Sequence, residues 1–273
     1  MTPHPADYLK QLGETGEGPH DIAMAALMLS AMDHGNQPVG SYVSHLSEIA
    51  DAARGEARLA SHAEDGAKSL SALMVGRFGY DGDRVSFDDP LNADFMSVID
   101  RRRGLPVALG ILYIHAARAA GYEAQGLNTS GHFLLRIAVP GSEALIDPFN
   151  GGAALDREKL GAPPGMGSQA VEDVRLSEPV SDTEVLLRLI NNIKIRALNL
   201  GERVRALEIA RRMVMIAPRR PDLWLELARL NEVTGALGAA RKAYESCLDI
   251  AKSGAPLHNE AAIALSSLKR RLN

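Results

Sequence analysis

The sequence predicts an α+β fold, with helices before a small antiparallel sheet and a short module of helical repeats after it. Three observations support this prediction. Apolar residues recur at helical spacing through most of the first 120 residues, and short apolar or alternating segments follow, separated by Gly-containing turns. A 34-residue helical period occupies the last third of the chain. We expect three parts, residues 1–92, 93–175 and 183–273.

The composition is that of an ordinary globular protein. Of its 273 residues, 46% are hydrophobic and 23% are charged, which is enough to bury a core without disulfides. Cys247 is the single cysteine, which excludes an internal disulfide and a cysteine-based zinc site. The net charge of -4 gives no general case for binding nucleic acid, although residues 1–180 are acidic overall and residues 181–273 are basic.

The sequence predicts neither export nor a membrane span. The first 18 residues are polar and lack the apolar core of a signal peptide. No run of about 18 apolar residues is present, which argues against a membrane-spanning helix. Together with the single cysteine, these features favour the cytoplasm.

The N-terminal region is predicted to be helical after a loose start over residues 1–20. Apolar spacing predicts helices over 21–33, 41–57 and 63–79, with Ser41 as the N-cap of the second. Residues 79–90 are rich in Gly and Asp and are expected to form a loop.

Two more helices lead into the sheet. A short helix is predicted over 93–104, ended by Gly104. A longer apolar helix follows over 106–120, and Pro106 suits its first turn.

The pattern then changes from helical to extended. Strands are predicted over 122–127, 132–139 and 143–149, and the turn PGSE at 140–143 joins the last two into a hairpin. Residues 161–170 are full of Gly and Pro and are expected to form a linker or a surface loop.

The C-terminal third repeats itself at an offset of 34 residues. Ala206 then aligns with Ala240, and Gly201 aligns with Gly235 in the turn. This period resembles the tetratricopeptide repeat, with residues 257–272 as a final capping helix. Two repeats and a cap are a minimal array, so we expect the module to dock on the core. Cys247 falls at a packing position and is expected to be a buried structural thiol.

The helix at 106 and the hairpin after it have the layout of a thiol hydrolase or acyltransferase. Such an enzyme needs a cysteine, a histidine that moves the proton and a carboxylate that orients the imidazole. His132 opens one predicted strand and Asp147 closes the next, so we expect the two to face each other across the hairpin. The helix that would carry the cysteine starts instead at Pro106.

The blocks RRRGLP, GHFLLR and IDPFNGG, together with the repeats, resemble the transglutaminase-like superfamily, and more closely its SirB1 branch. The resemblance implies a papain-like core, with His132 as the superfamily histidine and Asp147 as its aspartate. It places the cysteine position at Pro106, or at Val107 if the register slips. Neither residue can attack a carbonyl, and the SirB1 branch generally shows this loss.

The retained pair has three interpretations. His132 and Asp147 fix two strands to each other, line a groove for a ligand or peptide, or activate water as a general base. Thr129 and Ser130 precede the histidine and are expected to serve the turn. His115 is expected to be a packed or surface histidine. We find no spacing typical of a metal site and predict no cofactor.

Two further groups of polar residues are candidates for binding. Arg101, Arg102 and Arg103 either form a solvated helix end or pair with the acidic stretch 81–89 and close that loop over the groove. In the repeats, a surface on the first helices either binds a peptide or packs on the core. Its residues are Asn191, Asn192, Lys194, Arg196, Asp222 and Arg229, and Asn128 is a further binding candidate beside the pair.

The sequence therefore predicts a cytoplasmic, non-catalytic transglutaminase-like protein that binds a protein or peptide partner as a regulator or scaffold. The alternative is a hydrolase or acyltransferase of peptide or amide bonds that uses His132 and Asp147 without a cysteine. A purely structural subunit is the third possibility.

Overall fold

The computed structural model describes residues 3–35, 37–57, 60–128, 133–155 and 178–272. The chain divides into two compact units, one formed by residues 1–6 and 17–189 and the other by residues 7–16 and 190–273. The three predicted parts stay a prediction. Within the described ranges, no helix combines the length and apolarity needed to cross a bilayer.

Within the described residues, helices dominate both units. In chain order they are α1 (Pro5–Thr15), α2 (Ile22–Ala31), α3 (Gly40–Glu56), α4 (Ala63–Ser71), α5 (Phe95–Arg101), α6 (Pro106–Ala119), α7 (Asp182–Asn199), α8 (Arg203–Ile216), α9 (Pro221–Val233), α10 (Leu237–Ile250) and α11 (Pro256–Leu272). A π-helical segment, Ala72–Arg77, continues α4, and short 3-10 turns occupy Pro90–Asn92 and Pro148–Asn150.

The strands within the described residues all lie in the first unit. They are β1 (Asp81–Gly82), β2 (Arg103–Gly104), β3 (Glu123–Asn128), β4 (Phe133–Val139), β5 (Ser142–Asp147), β6 (Ala153–Leu155) and β7 (Pro179–Val180). Strands β3 to β7 form one antiparallel sheet in the order β6-β5-β4-β3-β7, while β1 and β2 pair in parallel. The predicted α+β class with a small antiparallel sheet is confirmed.

Helix α6 is central to the core of the first unit. It contacts β3 and β4 of the sheet as well as α2 and α3, and most of its residues are buried. A helix that is apolar on every side is suited to burial on every side. Its approach to the sheet is close at Gly110, where an added Cβ would lie 2.3 Å from Cε1 of Phe133. The predicted helix with Pro106 in its first turn is confirmed.

Three local predictions were wrong. Residues 5–15 of the predicted loose start form α1, whose Gly13 packs so closely that an added Cβ would lie 2.2 Å from the Met215 carbonyl oxygen. Helix α3 begins at Gly40 with Val39 as its N-cap, so Ser41 lies inside the helix. Helix α5 ends at Arg101, its C-cap Arg102 adopts a left-handed conformation with φ 56°, and Gly104 belongs to β2 instead.

The second unit contains the predicted repeat. Helices α8, α9, α10 and α11 pack sequentially, and α11 covers the predicted capping segment. Gly201 and Gly235 occupy the equivalent turns with φ of 76° and 78°. Ala206 and Ala240 are fully buried, which allows the paired helices to approach closely. The 34-residue alignment is thereby matched by equivalent structure in both copies.

Candidate functional site

The start of α6 carries no nucleophile. Pro106 is the first residue of the helix and Leu105 is its N-cap, with the Leu105 N–H donating to the Asn92 carbonyl at 2.9 Å. Proline has a fixed φ and no N–H, which suits this position. Val107 is a buried aliphatic side chain. Neither Pro106 nor Val107 can perform covalent thiol chemistry.

Asp147 ends β5 and holds the turn that follows it. Its Oδ1 accepts the backbone N–H groups of Phe149 and Asn150 at 3.0 and 3.1 Å, and its Oδ2 accepts the Asn150 side-chain amide at 2.7 Å. Its carbonyl accepts the Gly152 N–H at 2.8 Å. Asp147 is buried, with 6% of the whole residue exposed. The carboxylate therefore serves as a cap for its own 3-10 turn.

His132, the partner predicted for Asp147, lies outside the described residues, as do Thr129 and Ser130. The side chain of Asn128 is also not described. The strand register pairs Leu135 with Ile146, which places Leu134 across from Asp147. The predicted histidine–aspartate pair stays a prediction.

The turn after Asp147 is held from a second side by the β1 region. An added Cβ on Gly82 would lie 2.5 Å from the Phe149 carbonyl oxygen, so β1 and this turn are in close contact. Arg84 donates to that carbonyl at 2.8 Å and to the Asn150 side-chain oxygen at 3.1 Å. The same guanidinium pairs with Asp81 at 3.0 Å. These contacts hold residues 81–84 against the turn within the IDPFNGG block.

Arg101 forms ion pairs with the acidic stretch 81–89, which is one of the two arrangements predicted for the arginines. Its guanidinium lies 3.2 Å from Asp83 and 3.4 Å from Asp89. Asp83 is buried, and its Oδ1 accepts the N–H groups of Ser86 and Val85 at 2.8 and 3.1 Å. These hydrogen bonds, with the charge of Arg101, lower the pKa of Asp83 below its usual value, because they outweigh the effect of burial.

Arg102 and Arg103 have other partners. The Arg102 guanidinium lies 4.8 Å from the ring centre of Tyr80, donates to its hydroxyl and approaches His45. Burial lowers the pKa of His45, and the nearby charge of Arg102 lowers it further. Arg103 donates to the Gly79 carbonyl at 2.9 Å. All three arginines therefore tie α5 and β2 to neighbouring segments.

Tyr113 is a buried phenol beside the Asp147 turn. Its hydroxyl has no hydrogen-bond partner among the described residues. An added Cβ on Gly152 would lie 2.5 Å from this hydroxyl oxygen. Burial raises the pKa of Tyr113, and the charges of Asp81 and Asp147 raise it further, so the phenol is neutral at ordinary pH. His115, on the same helix, bonds the Leu46 carbonyl through Nε2 at 2.9 Å.

A cavity of about 460 Å³ lies at the other end of α6, which the sequence did not predict. Its lining includes Arg118, whose guanidinium donates two hydrogen bonds to Asp182 at 2.7 and 2.8 Å and one to the Ala124 carbonyl. Asp182 is buried and accepts the His20 N–H at 2.7 Å. Among the sequence signals, only a lone arginine near the end of an apolar helix points to this cluster.

The residues predicted for the repeat surface have different environments. Lys194 is buried and its Nζ lies 2.5 Å from a Glu226 oxygen, so this side chain joins α7 to α9 and is not part of an exposed groove. Arg229 is exposed and pairs with Glu260 of α11. Asn191 is partly exposed. Arg220 forms a two-pronged pair with Asp222, which lowers the pKa of that carboxyl.

Cys247 is a fully buried free thiol in α10, as predicted. Burial raises its pKa, so the reactive thiolate is disfavoured. Among the described residues, no three His, Cys, Asp or Glu side chains are grouped so as to hold a metal ion.

Comparison with known families agrees with this architecture. Residues 40–191 match the family described as the transglutaminase-like superfamily, and residues 193–273 match the tetratricopeptide repeat. The chain therefore belongs to the transglutaminase-like superfamily and carries C-terminal tetratricopeptide repeats. The resemblance inferred from the sequence blocks is confirmed.

Relatives share much of this arrangement. A UPF0162 protein of Xylella fastidiosa strain Temecula1 is 30% identical over 214 residues, which cover 75% of this chain and 73% of that protein. A UPF0162 protein of Vibrio cholerae is 34% identical over 80 residues, 29% of this chain and 30% of that protein. Mouse F-box only protein 21 is 28% identical over 82 residues, 30% of this chain and 13% of its own length.

Proposed function

We propose that this chain is a non-catalytic transglutaminase-like protein of the cytoplasm that binds a protein or peptide partner as a regulator or scaffold. The observation that carries the proposal is Pro106 at the first position of α6, where the superfamily resemblance places the nucleophile. Covalent thiol catalysis needs an accessible thiolate. The single cysteine is instead a buried thiol of α10.

The contacts of Asp147 further support a structural role for this carboxylate. Three hydrogen bonds from Phe149 and Asn150 already occupy it. A carboxylate held by its own turn stabilises the fold without any reaction. The tetratricopeptide match supports a protein partner, because stacked helical repeats present extended surfaces for binding.

The alternative enzyme is tested on the purified chain. The wild-type chain is incubated with a library of glutamine-containing peptides and with an amine donor. The products are followed by mass spectrometry. We expect no cleavage, deamidation or amine incorporation above that of buffer. Turnover that survives thiol alkylation and disappears in the His132→Ala variant would establish water-dependent catalysis and contradict the proposal.

Binding is tested separately by affinity capture from a bacterial extract. Each captured protein is then purified, and its direct binding is measured by calorimetry, with mass spectra recorded before and after. We expect a saturable complex whose components both keep their masses. A chain that retains no purified partner would refute the binding function.

A further inference from the structure

Three exposed apolar side chains lie on the loop that follows β1, and one of them contacts a half-buried phenylalanine of the turn that Asp147 holds. Val85 is 97% exposed, Phe87 is 47% exposed and Leu91 is 46% exposed. Phe149, from the turn, meets Phe87 edge-on with ring centres 5.7 Å apart. We call these four side chains the apolar rim. Grouped exposed apolar side chains in a folded protein typically mark an interaction surface.

The loop that carries the apolar rim is tied down by hydrogen bonds and ion pairs. The Asp83 carboxylate accepts the N–H groups of Val85 and Ser86, and Arg101 pairs with Asp83 from the other side. The Asn92 side-chain amide donates to the Ser86 carbonyl at 2.6 Å. A surface held in this way loses little conformational entropy when a partner binds, so its exposed side chains are pre-organised for contact.

The charge around the apolar rim is acidic. Residues 81–91 contain four aspartates and one arginine, Arg84, and Arg101 reaches this loop to pair with Asp83 and Asp89, so that an excess of two negative charges remains. The Arg84 guanidinium is engaged by the Phe149 carbonyl and by Asp81. Asp88 is exposed next to Phe87. An apolar surface with carboxylates at its border complements a partner that carries positive charge beside an apolar side chain.

We propose that the apolar rim docks a basic peptide segment of a protein partner, in which an aliphatic or aromatic side chain lies next to Lys or Arg. The apolar side chain packs against Val85, Phe87, Leu91 and Phe149, and the cation lies at the acidic border of the loop, where Asp88 is exposed. This inference rests on the proposed function and assigns it a surface and a partner chemistry.

Phage-displayed random peptides of about 12 residues, selected on the full-length chain, test the inference. Enriched peptides are synthesised, and their affinities are measured by fluorescence anisotropy for wild type, Val85→Lys and Ile263→Lys. Ile263 lies in α11 and is 73% exposed, so the control adds the same charge at another exposed aliphatic position. Circular dichroism confirms that both variants are folded.

We expect the enriched peptides to combine Lys or Arg with an apolar residue. Val85→Lys should weaken their binding by about tenfold or more, the size of effect that an interface hot spot shows, while Ile263→Lys leaves it unchanged. Replacing the basic residues of a peptide by Gln should also weaken binding about tenfold, and added salt should lower the affinity.

Other results overturn the inference. Enriched peptides without basic residues, or peptides that bind Val85→Lys as tightly as wild type, would refute docking at the apolar rim. If such peptides lose affinity for Ile263→Lys, the binding function survives and moves to the repeats. If selection yields no peptide that binds the wild-type chain, this inference fails, whereas the proposed function fails only if the capture experiment also yields no partner.

Discussion

At position 106 the side chain closes a ring onto its own backbone nitrogen. This ring fixes φ near the helical value and removes an N–H that a first-turn residue does not need, so Pro106 starts α6 well. The same ring offers no proton to remove and no atom that can attack a carbonyl. One residue thus favours the helix and prevents the chemistry that a cysteine there would allow.

Asp83 is the residue for which the structure predicts a pH dependence. Its pKa is lowered in the folded chain, so its contribution to stability is present above the unfolded aspartate pKa of about 3.9 and is lost as the pH falls through the lower folded value. We expect Asp83→Asn to lower the free energy of unfolding by about 1 kcal/mol at pH 7, since charge-assisted bonds are lost. Urea unfolding at pH 7 and pH 3 measures the difference.

The gap between wild type and Asp83→Asn should shrink at pH 3, because below the unfolded pKa the unfolded chain takes up a proton more readily than the native carboxylate does. Asp51→Asn is the matched control, because that side chain is 72% exposed and its surface pair with Arg54 contributes little. A gap of the same size at both pH values would show that the ionised carboxylate is not what stabilises the loop.

Among the elements, α6 depends on close approach to the sheet. Alanine normally favours a helix over glycine by about 1 kcal/mol. At Gly110, however, an added Cβ would meet Cε1 of Phe133 at 2.3 Å. We therefore expect Gly110→Ala to destabilise the protein by about 1–3 kcal/mol, as overpacking of a core does. Thermal and urea unfolding measure it.

Gly55→Ala is the control for this prediction. Gly55 lies in α3, and an added Cβ there would meet nothing within 4 Å. This variant should be as stable as wild type or gain about 0.5 kcal/mol. Equal effects of the two substitutions would mean that the sheet does not crowd Gly110.

The helical repeat predicts paired effects at its two turns. Gly201 and Gly235 have positive φ, and an added Cβ at either would meet nothing within 4 Å. The cost of alanine at each is therefore conformational, and we expect about 1 kcal/mol for Gly201→Ala and a similar value for Gly235→Ala. Gly238→Ala, inside α10, should cause no loss. Clearly unequal costs at the two turns, measured by urea unfolding, would contradict their equivalence.

At the scale of the whole molecule, Cys247 reports on the folding of the repeats. Its side chain is fully buried and its pKa is raised by that burial. We expect a disulfide reagent such as dithionitrobenzoate to modify no thiol of the native chain within minutes and one thiol in denaturant. The exposed Ser253 supplies the control, because Ser253→Cys should react at once. Rapid modification of the native wild-type chain would show that α10 opens readily.

Long or repeated sequence patterns made much of the fold predictable. Helix α6 is one continuous apolar segment, the β4–β5 hairpin has two apolar strands joined by the PGSE turn, and the repeat recurs every 34 residues. Each was predicted close to its observed bounds. Helix α1 was missed, because its sequence is polar and its burial depends on distant residues such as Met215. The parallel pairing of β1 with β2 joins two-residue strands, which leave no periodic signal.

The features of the candidate site were likewise predictable only in part from the sequence. The sequence alone determined that no cysteine stands at the start of α6 and that two helical repeats follow the sheet, because residue identity and period are written along the chain. Only the tertiary structure decided that Lys194 is buried against Glu226, that Arg101 holds the acidic loop, and that Val85 is left exposed. The physical reason is that distant segments of the chain supply the partners. They determine which charged groups and hydrogen-bond donors are paired, and which apolar side chains are buried or remain exposed.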